Sequence, residues 1–590
     1  MRRPCAVTMI TARLSARLPL LGLTALLCSM PAAAGTFEVG PGSFFTNVSD
    51  VPWENLGPGD LVLIHHRPTP YREKFVLGTS GTAAEPIVVR GVPDPDTGAL
   101  PIIDGENATT RLALDYWNEN RSVIKVGGSS IPSDDFAEHV VIENLDIRGA
   151  YEAYSFTDDR GNPASYRGNA SAIHIERGRN ITIRGCILRD SGNGLFVSSG
   201  TDYYSSDILI EGCHLHGNGN VGSIFEHNNY TEALDITFQY NRFGPLRPGA
   251  GGNNLKDRSA GLIVRYNWIE AGNRQLDLVE AIGHDLLNGH PRYRETFVYG
   301  NVLVETEGEG NRQVIHYGGD SGSTGDYRKG TLYFHNNTVI STRTDRTTLM
   351  RLSTNDERCD ARNNIIHLTA AGGDTLSMLD SSGILDWSHG WTNGGWRDSF
   401  SGGFEGAVND DGTSLTGAEP GFVDIAGDDL SLRSDSDCVD AGTMLAAAVL
   451  PEHEPVHAYV VHQGQAPRGD DAVLDVGAYA AACALAPPGR VNGLGWSDPS
   501  TLTWPAASGA TGHDVLRGEI ATLGAVGLAG SLTDCLAADT AALSLSLTMP
   551  EPGRGSWFLV RGRTCGGPGS YDPSGSTRDA ALSGAGLACP

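Results

Sequence analysis

One residue slot recurs along the middle of this 590-residue sequence and constrains the fold more than any other feature. At each occurrence a short β-branched or aromatic segment is interrupted at the same place, and successive slots lie 26 to 41 residues apart. The slots hold Leu145, Cys186, Cys213, Asn241, Asn267, Asn301, Asn337 and Asn364. A repeat of this length with one strand signature per period is typical of a solenoid.

Each period predicts one coil of a parallel β-solenoid, with coils stacked about 4.8 Å apart. A residue in the same slot of every coil then stacks on its counterparts above and below. Because a buried amide is stable only when its polar atoms are hydrogen-bonded, the asparagines must bond along the stack. We therefore expect an asparagine ladder, with Cys186 and Cys213 as stacked buried thiols rather than a disulfide.

The two ends of the sequence differ from the repeat. Residues 1–34 contain arginines, an apolar run and small residues, which is typical of a secretory signal peptide, and no later run reaches the ~20 apolar residues of a transmembrane helix. Residues 483–590 contain short alternating strands and an early Trp504, which favour a small β-sandwich. Four cysteines there predict two disulfides: Cys483, Cys535, Cys565 and Cys589. The coil is then expected over residues 35–482, in a monomer that is secreted or periplasmic.

Charge narrows the choice of partner. The net charge of −27 argues against nucleic acid. The window of residues 241–275 differs from the rest of the chain, because it carries six arginines or lysines and only two acids. This window is therefore the first place to look for a site that binds an anionic ligand.

A second set of short strands runs beside the slots and predicts an outward-facing row. If the strand around residues 224–227 turns Phe225 to the core, period-2 alternation places Glu226, Lys256 and Asp277 in a row, one strand spacing apart. The simpler alternative is a solvated polar ladder, since alternating acids and amines also stabilise neighbouring strands.

Other motifs resemble a known class of proteins. Pro58-Gly59-Asp60 and Ser80-Gly81-Thr82 resemble the opening of secreted right-handed β-helix proteins, and Asp475-Val476-Gly477 resembles their closing coil. The segment from Arg490 onward resembles a fibronectin type III module. The expected fold is all-β: a right-handed parallel β-helix followed by a small β-sandwich.

The turn Asn254-Leu255-Lys256-Asp257-Arg258, followed by Arg265-Tyr266-Asn267, resembles the active-site turn of the chondroitinase B and alginate lyase family. The resemblance implies a polysaccharide substrate, Lys256 as the base, and carboxylates that hold calcium. This chain departs from the family one coil later, where Leu278-Val279-Glu280-Ala281 stands in place of Arg-His-Gly.

β-Elimination at a uronate requires a neutralised carboxylate, a base for the C5 proton and an acid for the leaving oxygen. The expected site is given by three sets of residues: catalytic Lys256, Arg258 and His316; substrate-binding Arg274, His227 and Tyr317; and calcium ligands Glu226, Asp277 and Glu280. Two alternatives stay open. One is a glycoside hydrolase that uses two of the three carboxylates as an acid pair, and the other is a surface protein that binds glycans without cleaving them.

Overall fold

The computed structural model describes residues 34–133, 136–469, 473–481, 488–547, 555–564 and 567–571, together with residues 582 and 589. Nearly all of the expected signal peptide, and both Cys483 and Cys565, lie outside the described residues. Within the described part of the chain, no helix is long and apolar enough to cross a membrane.

Residues 36–417 form a parallel β-helix whose coils contribute strands to three long sheets. Sheet 1 contains Thr36–Val39, Leu61–His65, Ile87–Val92, Ala137–Glu143, Gly178–Arg184, Ser206–Glu211, Leu234–Gln239, Ala260–Arg265, Glu295–Tyr299, Thr331–His335, Arg358–Arg362, Ile384–Ser388 and Ala407–Asp410. Sheet 2 contains Ile102–Asp104, Asp146–Arg148, Ile187–Arg189, His214–His216, Arg242–Phe243, Trp268–Glu270, Val302–Glu305, Thr338–Ser341, Ile365–Leu368, Trp391–Asn393 and Leu415–Gly417.

Sheet 3 contains Glu73–Leu77, Ala108–Thr110, Ser122–Val126, Ser155–Thr157, Pro163–Ser165, Ser171–Ile175, Asn193–Val197, Asn229–Thr231, Leu255–Asp257, Leu276–Leu278, Gln313–Tyr317, Thr347–Leu352 and Leu376–Leu379. Its strands pair in parallel except Ser155–Thr157 with Pro163–Ser165. The inward-facing residues of the three sheets form one continuous apolar core. The solenoid predicted from the slot repeat is therefore confirmed.

The asparagine column connects the coils at the bend between sheets 1 and 2. Each Nδ2 donates to the Oδ1 of the next asparagine, at 2.9 to 3.1 Å. The column contains Asn241, Asn267, Asn301, Asn337 and Asn364. The residue before each slot has a left-handed backbone conformation, as at Gly300 (φ 66°), which lets the chain turn within one residue. Cys186 and Cys213 continue the column as buried free thiols, as predicted.

Residues 422–481 follow the last coil and return along its outside. They contain two antiparallel hairpins, Phe422–Asp424 with Asp429–Leu432 and His457–Val460 with Gly464–Pro467. His453 stacks on Phe297 with ring centroids 3.7 Å apart. We call residues 443–481 the return segment, because it covers aromatic side chains on the outside of sheet 1.

The C-terminal module contains two antiparallel sheets, in agreement with a predicted β-rich module. One contains Gly495–Asp498, Thr501–Thr503 and Ser544–Ser546, and the other contains Gly512–Glu519, Leu532–Thr540, Ser556–Thr564 and Gly567–Pro568. Cys535 and Cys589 form a disulfide, one of the two predicted. The helix Ile520–Gly530, which is kinked at Gly527, was not predicted.

The remaining elements are short and lie in loops of the coil, except Ile425–Gly427, which lies in the first hairpin after it. They are the hairpin Asp115–Tyr116 with Ser129–Ile131, the α-helix Asp285–Asn288, and the 3₁₀ helices Val48–Asp50, Trp53–Asn55, Glu119–Arg121, Pro291–Arg294, Gly373–Thr375 and Ile425–Gly427.

Candidate functional site

The strands of sheet 3 place one polar row on the outside of the coil. In the parallel register Tyr230 lies beside Lys256, Lys256 beside Asp277, and Asp277 beside His316. The neighbours Leu255 and Leu276 are fully buried on the inside. The sequence-based prediction that Lys256 and Asp277 are outward neighbours is therefore correct.

Glu226 does not belong to this row, which corrects the prediction. The strand in its coil is Asn229–Thr231, so Tyr230 takes the place assigned to Glu226. The apolar pair Ile224 and Phe225 resembles a buried strand in the sequence, but the two side chains are 62% and 75% exposed. They belong to a loop that stands beside the row.

This loop and the row enclose a cavity of about 560 Å³. Its lining combines aromatic, amide, basic and acidic side chains: Asn169, Asn193, Phe196, Ile224, Phe225, Glu226, His227, Tyr230, Asn253, Lys256, Arg258, Asn273, Arg274, Asp277 and Asp320. Six of the nine predicted site residues are therefore brought together here, and three are not.

Lys256 lines the cavity between two carboxylates. Its Nζ donates to Asp277 Oδ2 at 2.5 Å and to Asp320 Oδ2 at 2.9 Å. Burial raises the pKa of the Asp320 carboxyl, but Lys256 and Arg258 outweigh this and hold it below 3.8. The amine is thus fixed as a hydrogen-bond donor to two anions.

Arg258 connects the same cluster to the aromatic part of the row. Its Nε donates to Tyr230 Oη at 2.7 Å, and its Nη2 donates to Asp320 Oδ1 at 3.3 Å. Its Nη1 donates to the backbone oxygen of Glu280. The guanidinium group is therefore immobilised with one edge against the Tyr230 phenol.

Asp277 is buried and hydrogen-bonded to Lys256, to His316 and to Asn253, whose Nδ2 donates to Oδ2 at 2.8 Å. Burial alone raises its pKa, but Lys256 and the hydrogen bond from His316 hold the pKa well below 3.8. His316 Nδ1 lies 2.8 Å from Asp277 Oδ1, and His316 Nε2 lies 2.9 Å from Ser353 Oγ. Burial lowers the pKa of His316, so the ring is neutral at neutral pH and donates its Nδ1–H to the carboxylate.

His227 lines the cavity as a neutral imidazole. Burial, followed by the charge of Lys256, lowers its pKa to about 3. Its Nδ1 accepts a hydrogen bond from the backbone N–H of Asn253 at 2.9 Å. The proton of the neutral ring therefore resides on Nε2, which makes this nitrogen a donor.

Three predicted site residues lie outside the cavity lining. Tyr317 is completely buried because it follows His316 on the strand, so that alternation turns its ring inward beside Leu278. Its predicted contact with substrate is wrong. His316 is 1% exposed and contacts Asp277 instead of the cavity. Glu280 is completely buried and accepts hydrogen bonds from the backbone N–H groups of Asp320 and Ser321.

The donor set does not fit the expected calcium. Asp277 is occupied by Lys256 and His316, and Glu280 by Arg258 and two backbone N–H groups. Among the residues that the structure describes, no group of three His, Cys, Asp or Glu side chains is arranged to hold a metal ion.

Sequence reasoning missed Tyr230, Asp320 and Phe196. Tyr230 follows His227, Asn228 and Asn229, which do not resemble a strand. It would have been found only if the strand had been predicted four residues later than the one that contained Glu226. Asp320 comes from the loop after Gln313–Tyr317, where Gly318-Gly319 signals a turn but not its direction. Phe196 lies on the strand Asn193–Val197, which the sequence did not connect with the site.

Comparison with known proteins agrees with this architecture. Residues 135–339 match a family model described as "Right handed beta helix region". Residues 36–417 therefore have the fold of a right-handed parallel β-helix. No curated protein matches the sequence.

Several solved structures are distantly similar. An alginate lyase from Paenibacillus sp. str. FPU-7 is 14% identical, with a TM-score of 0.34 over 52% of this chain and 89% of that one. The pectate lyase Pel9A is 11% identical, with a TM-score of 0.40 over 76% of this chain and 98% of that one. A GH136 lacto-N-biosidase from Eubacterium ramulus is 13% identical, with a TM-score of 0.28 over 52% of this chain and 64% of that one. Similarities this low assign no activity to the present chain.

Proposed function

We propose that the cavity binds uronate residues of a polysaccharide and cleaves the chain by β-elimination, in a protein that is secreted or periplasmic. The observation that carries the proposal is the convergence of Lys256, Arg258 and Arg274 in one cavity beside the aromatic rings of Phe196 and Tyr230. Lys256 and Arg258 are paired with Asp277 and Asp320 of the same lining. The attraction for an anionic ligand therefore rests chiefly on Arg274, whose Nη1 lies 4.0 Å from Asp277 Oδ1. Aromatic faces and amide side chains suit the apolar faces and hydroxyl groups of sugar rings.

Two groups are suited to neutralise the uronate carboxylate. Arg274 is held in place by hydrogen bonds from its Nε and Nη2 to Gln313 Oε1, at 3.1 and 2.7 Å. His227, in the same lining, offers its Nε2–H as a hydrogen-bond donor. Hydrogen bonds to the carboxylate make the neighbouring C5 proton easier to remove, because they stabilise the negative charge that develops there.

Tyr230 is the group that we assign to accept the C5 proton. The Nε–H of Arg258 donates to Tyr230 Oη at 2.7 Å and stabilises the negative charge that this oxygen carries when it acts as the base. The proton passes from C5 to Tyr230 Oη, the C5–H electron pair forms the C4–C5 double bond, and the C4–O bond breaks. Lys256, a donor to two carboxylates, is placed to give the leaving oxygen its proton.

This assignment changes the expected role of Lys256 from base to acid and needs no metal ion. Two of the three carboxylates expected to bind calcium, Asp277 and Glu280, already have partners in the protein. We therefore expect a chelator to leave the rate of product formation unchanged.

The test follows the ultraviolet absorbance of the unsaturated product with alginate, polygalacturonate and chondroitin sulfate as substrates. Tyr230→Phe and Lys256→Ala are each expected to lose at least ~100-fold in rate, the usual scale for a proton-transfer group. Tyr333→Phe, which changes a tyrosine on sheet 1, is the matched control and is expected to retain activity. Absence of the absorbance with all three polymers would contradict the lyase proposal.

Glu226 favours a second candidate function, glycoside hydrolysis. Its carboxylate lines the cavity, and Oε2 is buried without a hydrogen-bond partner in the described structure. Asp320, in the same lining, is the other carboxyl group of an acid pair. New reducing ends without ultraviolet absorbance, abolished by Glu226→Gln but not by Tyr230→Phe, would select this function. Binding without either product would select a non-catalytic glycan-binding protein.

A further inference from the structure

We propose that the anionic polysaccharide extends beyond this cavity along sheet 3. A second cavity, lined by Arg346 and flanked by Arg351 on the strand that carries Thr348, binds its next acidic groups. This inference rests on the proposed function for the class of ligand. It adds a binding site of its own, several coils away from the proposed chemistry.

The second cavity has a volume of about 610 Å³ and lies on the same face of the coil. Its lining is rich in arginine: Gly310, Asn311, Arg312, Gln313, Arg343, Arg346, Thr348, Asp380, Phe400 and Ser401. Gln313 and Thr348 come from consecutive strands of sheet 3 and pair in register. The cavity therefore continues the row of strands that forms the floor of the first one.

A direct contact joins the two cavities. Arg274 lines the first cavity and donates two hydrogen bonds to Gln313, which lines the second. Arg351 lies in register with His316, and so continues the polar row beyond Asp277 and His316. The pKa of Arg274 is lowered, chiefly by burial, although the charge of Asp277 acts in the opposite direction. The positive charge of Arg351 also lowers it, which indicates that the two guanidinium groups lie within electrostatic range of each other.

The arginines in and beside the second cavity fall into two groups. Arg312, Arg343 and Arg346 line it, and Arg351 lies beside it on the strand that carries Thr348. Arg312 and Arg343 are neutralised by Asp345, at 2.6 and 3.0 Å, and Arg343 also contacts Glu305. Arg346 and Arg351 make no ion pair within the part of the chain that the structure describes. The second pair therefore retains positive charge that is available to a ligand.

Phe400 supplies an aromatic face between guanidinium groups. Arg346 lies over its ring at 4.5 Å, and Arg397 lies over it at 4.8 Å. Stacking holds both planar groups in place and leaves their N–H edges free to bind a carboxylate or sulfate. Asp380 is the carboxylate in this lining, and it suits a ligand that also carries hydroxyl groups.

The occupant that fits both cavities is one polyanionic chain lying along the coil axis. Coils repeat about every 4.8 Å, so successive acidic sugars meet successive strands of the sheet. A short oligosaccharide can fill the first cavity alone, whereas a polymer contacts both. The second cavity should therefore strengthen the binding of long ligands and have little effect on short ones.

The test compares the double variant Arg346→Gln/Arg351→Gln with Arg179→Gln/Arg184→Gln, which removes the same charge from sheet 1. Binding to alginate, polygalacturonate and chondroitin sulfate polymers, and to their disaccharides, is measured at low and moderate salt. The first variant is expected to lose about tenfold or more in polymer affinity, with a smaller dependence on salt, and to keep its disaccharide affinity. The control variant is expected to bind as the wild type does.

Two results would overturn the inference: equal polymer binding by both double variants, or equal losses for polymer and disaccharide. Failure of the wild-type protein to bind any polymer would overturn this inference together with the proposed ligand class. Polymer binding that depends on Arg346 and Arg351 without any cleavage product would refute the proposed lyase chemistry and support the second cavity.

Discussion

Single buried amides hold neighbouring coils in register. Asn267 Nδ2 donates to Phe238 O and to Asn301 Oδ1, both at 2.9 Å. Its own Oδ1 accepts from the backbone N–H of Asn241 at 3.0 Å. Each amide in the column thus satisfies backbone groups in the coils on both sides, and removal of one leaves those groups buried without partners.

Asn267→Leu is expected to lower the free energy of unfolding by ~1–3 kcal/mol, because polar atoms above and below lose their partners. Urea unfolding followed by circular dichroism measures the loss. Asn409→Leu is the control, since Asn409 is exposed at the end of the coil. Equal stability of the two variants would show that the column is not a source of stability.

Buried histidines make stability depend on pH. His335 stacks on Tyr299 with centroids 4.9 Å apart, and its Nε2 is buried without a partner in the described structure. Burial lowers its pKa to about 3, below the value of about 6.5 for an unfolded histidine. The unfolded chain therefore takes up the proton first, so stability is complete above about pH 6.5 and falls as the pH approaches 3.

His335→Phe retains an aromatic ring and removes the titration. The thermal midpoint of the variant is expected to fall less than that of the wild type between about pH 6.5 and about pH 4. Part of the pH dependence of the thermal midpoint remains in the variant, because other buried histidines, such as His214 and His227, still titrate. His65→Phe, at a partly exposed position, serves as the control. A variant that followed the wild-type curve would contradict the role of His335.

Strand alternation explains how much of the site the sequence predicted. Asp277 lies between two leucines and Lys256 directly follows Leu255, so the outward direction and neighbouring positions of the two side chains could be predicted directly. Tyr317 was assigned to the site in error. It follows the outward-facing His316 on the strand, so the same alternation turns its ring inward. Asp320 and Ser353 could not be found in this way, because loops bring them to the row through contacts far apart in sequence.

The loop that carries Asp320 depends on one buried carboxylate. Glu280 accepts from Asp320 N at 2.9 Å through Oε2 and from Ser321 N at 2.7 Å through Oε1. Because both oxygens are used, a side-chain amide can replace only one of them. Glu280 is therefore a positioning residue for Asp320 rather than a group that contacts the ligand.

Glu280→Gln is expected to speed hydrogen exchange at the amides of Asp320 and Ser321 without unfolding the coil. Hydrogen–deuterium exchange followed by mass spectrometry, on peptides that cover residues 315–325, measures the change. Glu309→Gln alters an exposed carboxylate in another loop and is the control. Unchanged exchange in the Glu280 variant would show that this carboxylate does not hold the Asp320 loop in place.

The whole molecule combines a coil, a return segment that covers part of its outside and a C-terminal module. The return segment contacts coils that are far apart in sequence: Tyr266 Oη accepts from Val456 N at 3.1 Å, and Gln463 Nε2 donates to Gly212 O at 2.8 Å. Leu445 and Val449 pack with the outward-facing rings of Tyr240, Tyr266 and Tyr299. The outside of sheet 1 is thus aromatic where the segment lies on it.

Two truncations separate the roles of the return segment and the C-terminal module. Deletion of residues 488–590 removes a module that has its own apolar clusters and the Cys535–Cys589 disulfide, and it leaves the return segment intact up to Ala481. We expect the remaining coil to keep its circular dichroism spectrum and its thermal midpoint, because domain boundaries carry few contacts.

Deletion of residues 443–590 also uncovers the rings of Tyr240, Tyr266, Phe297 and Tyr299, which form part of one buried cluster with the segment. An exposed aromatic patch of this kind favours aggregation, so this shorter protein is expected to aggregate or to melt well below the longer one. If both truncated proteins melted alike, the return segment would be dispensable, whereas unfolding of the longer one would show that the coil depends on the C-terminal module.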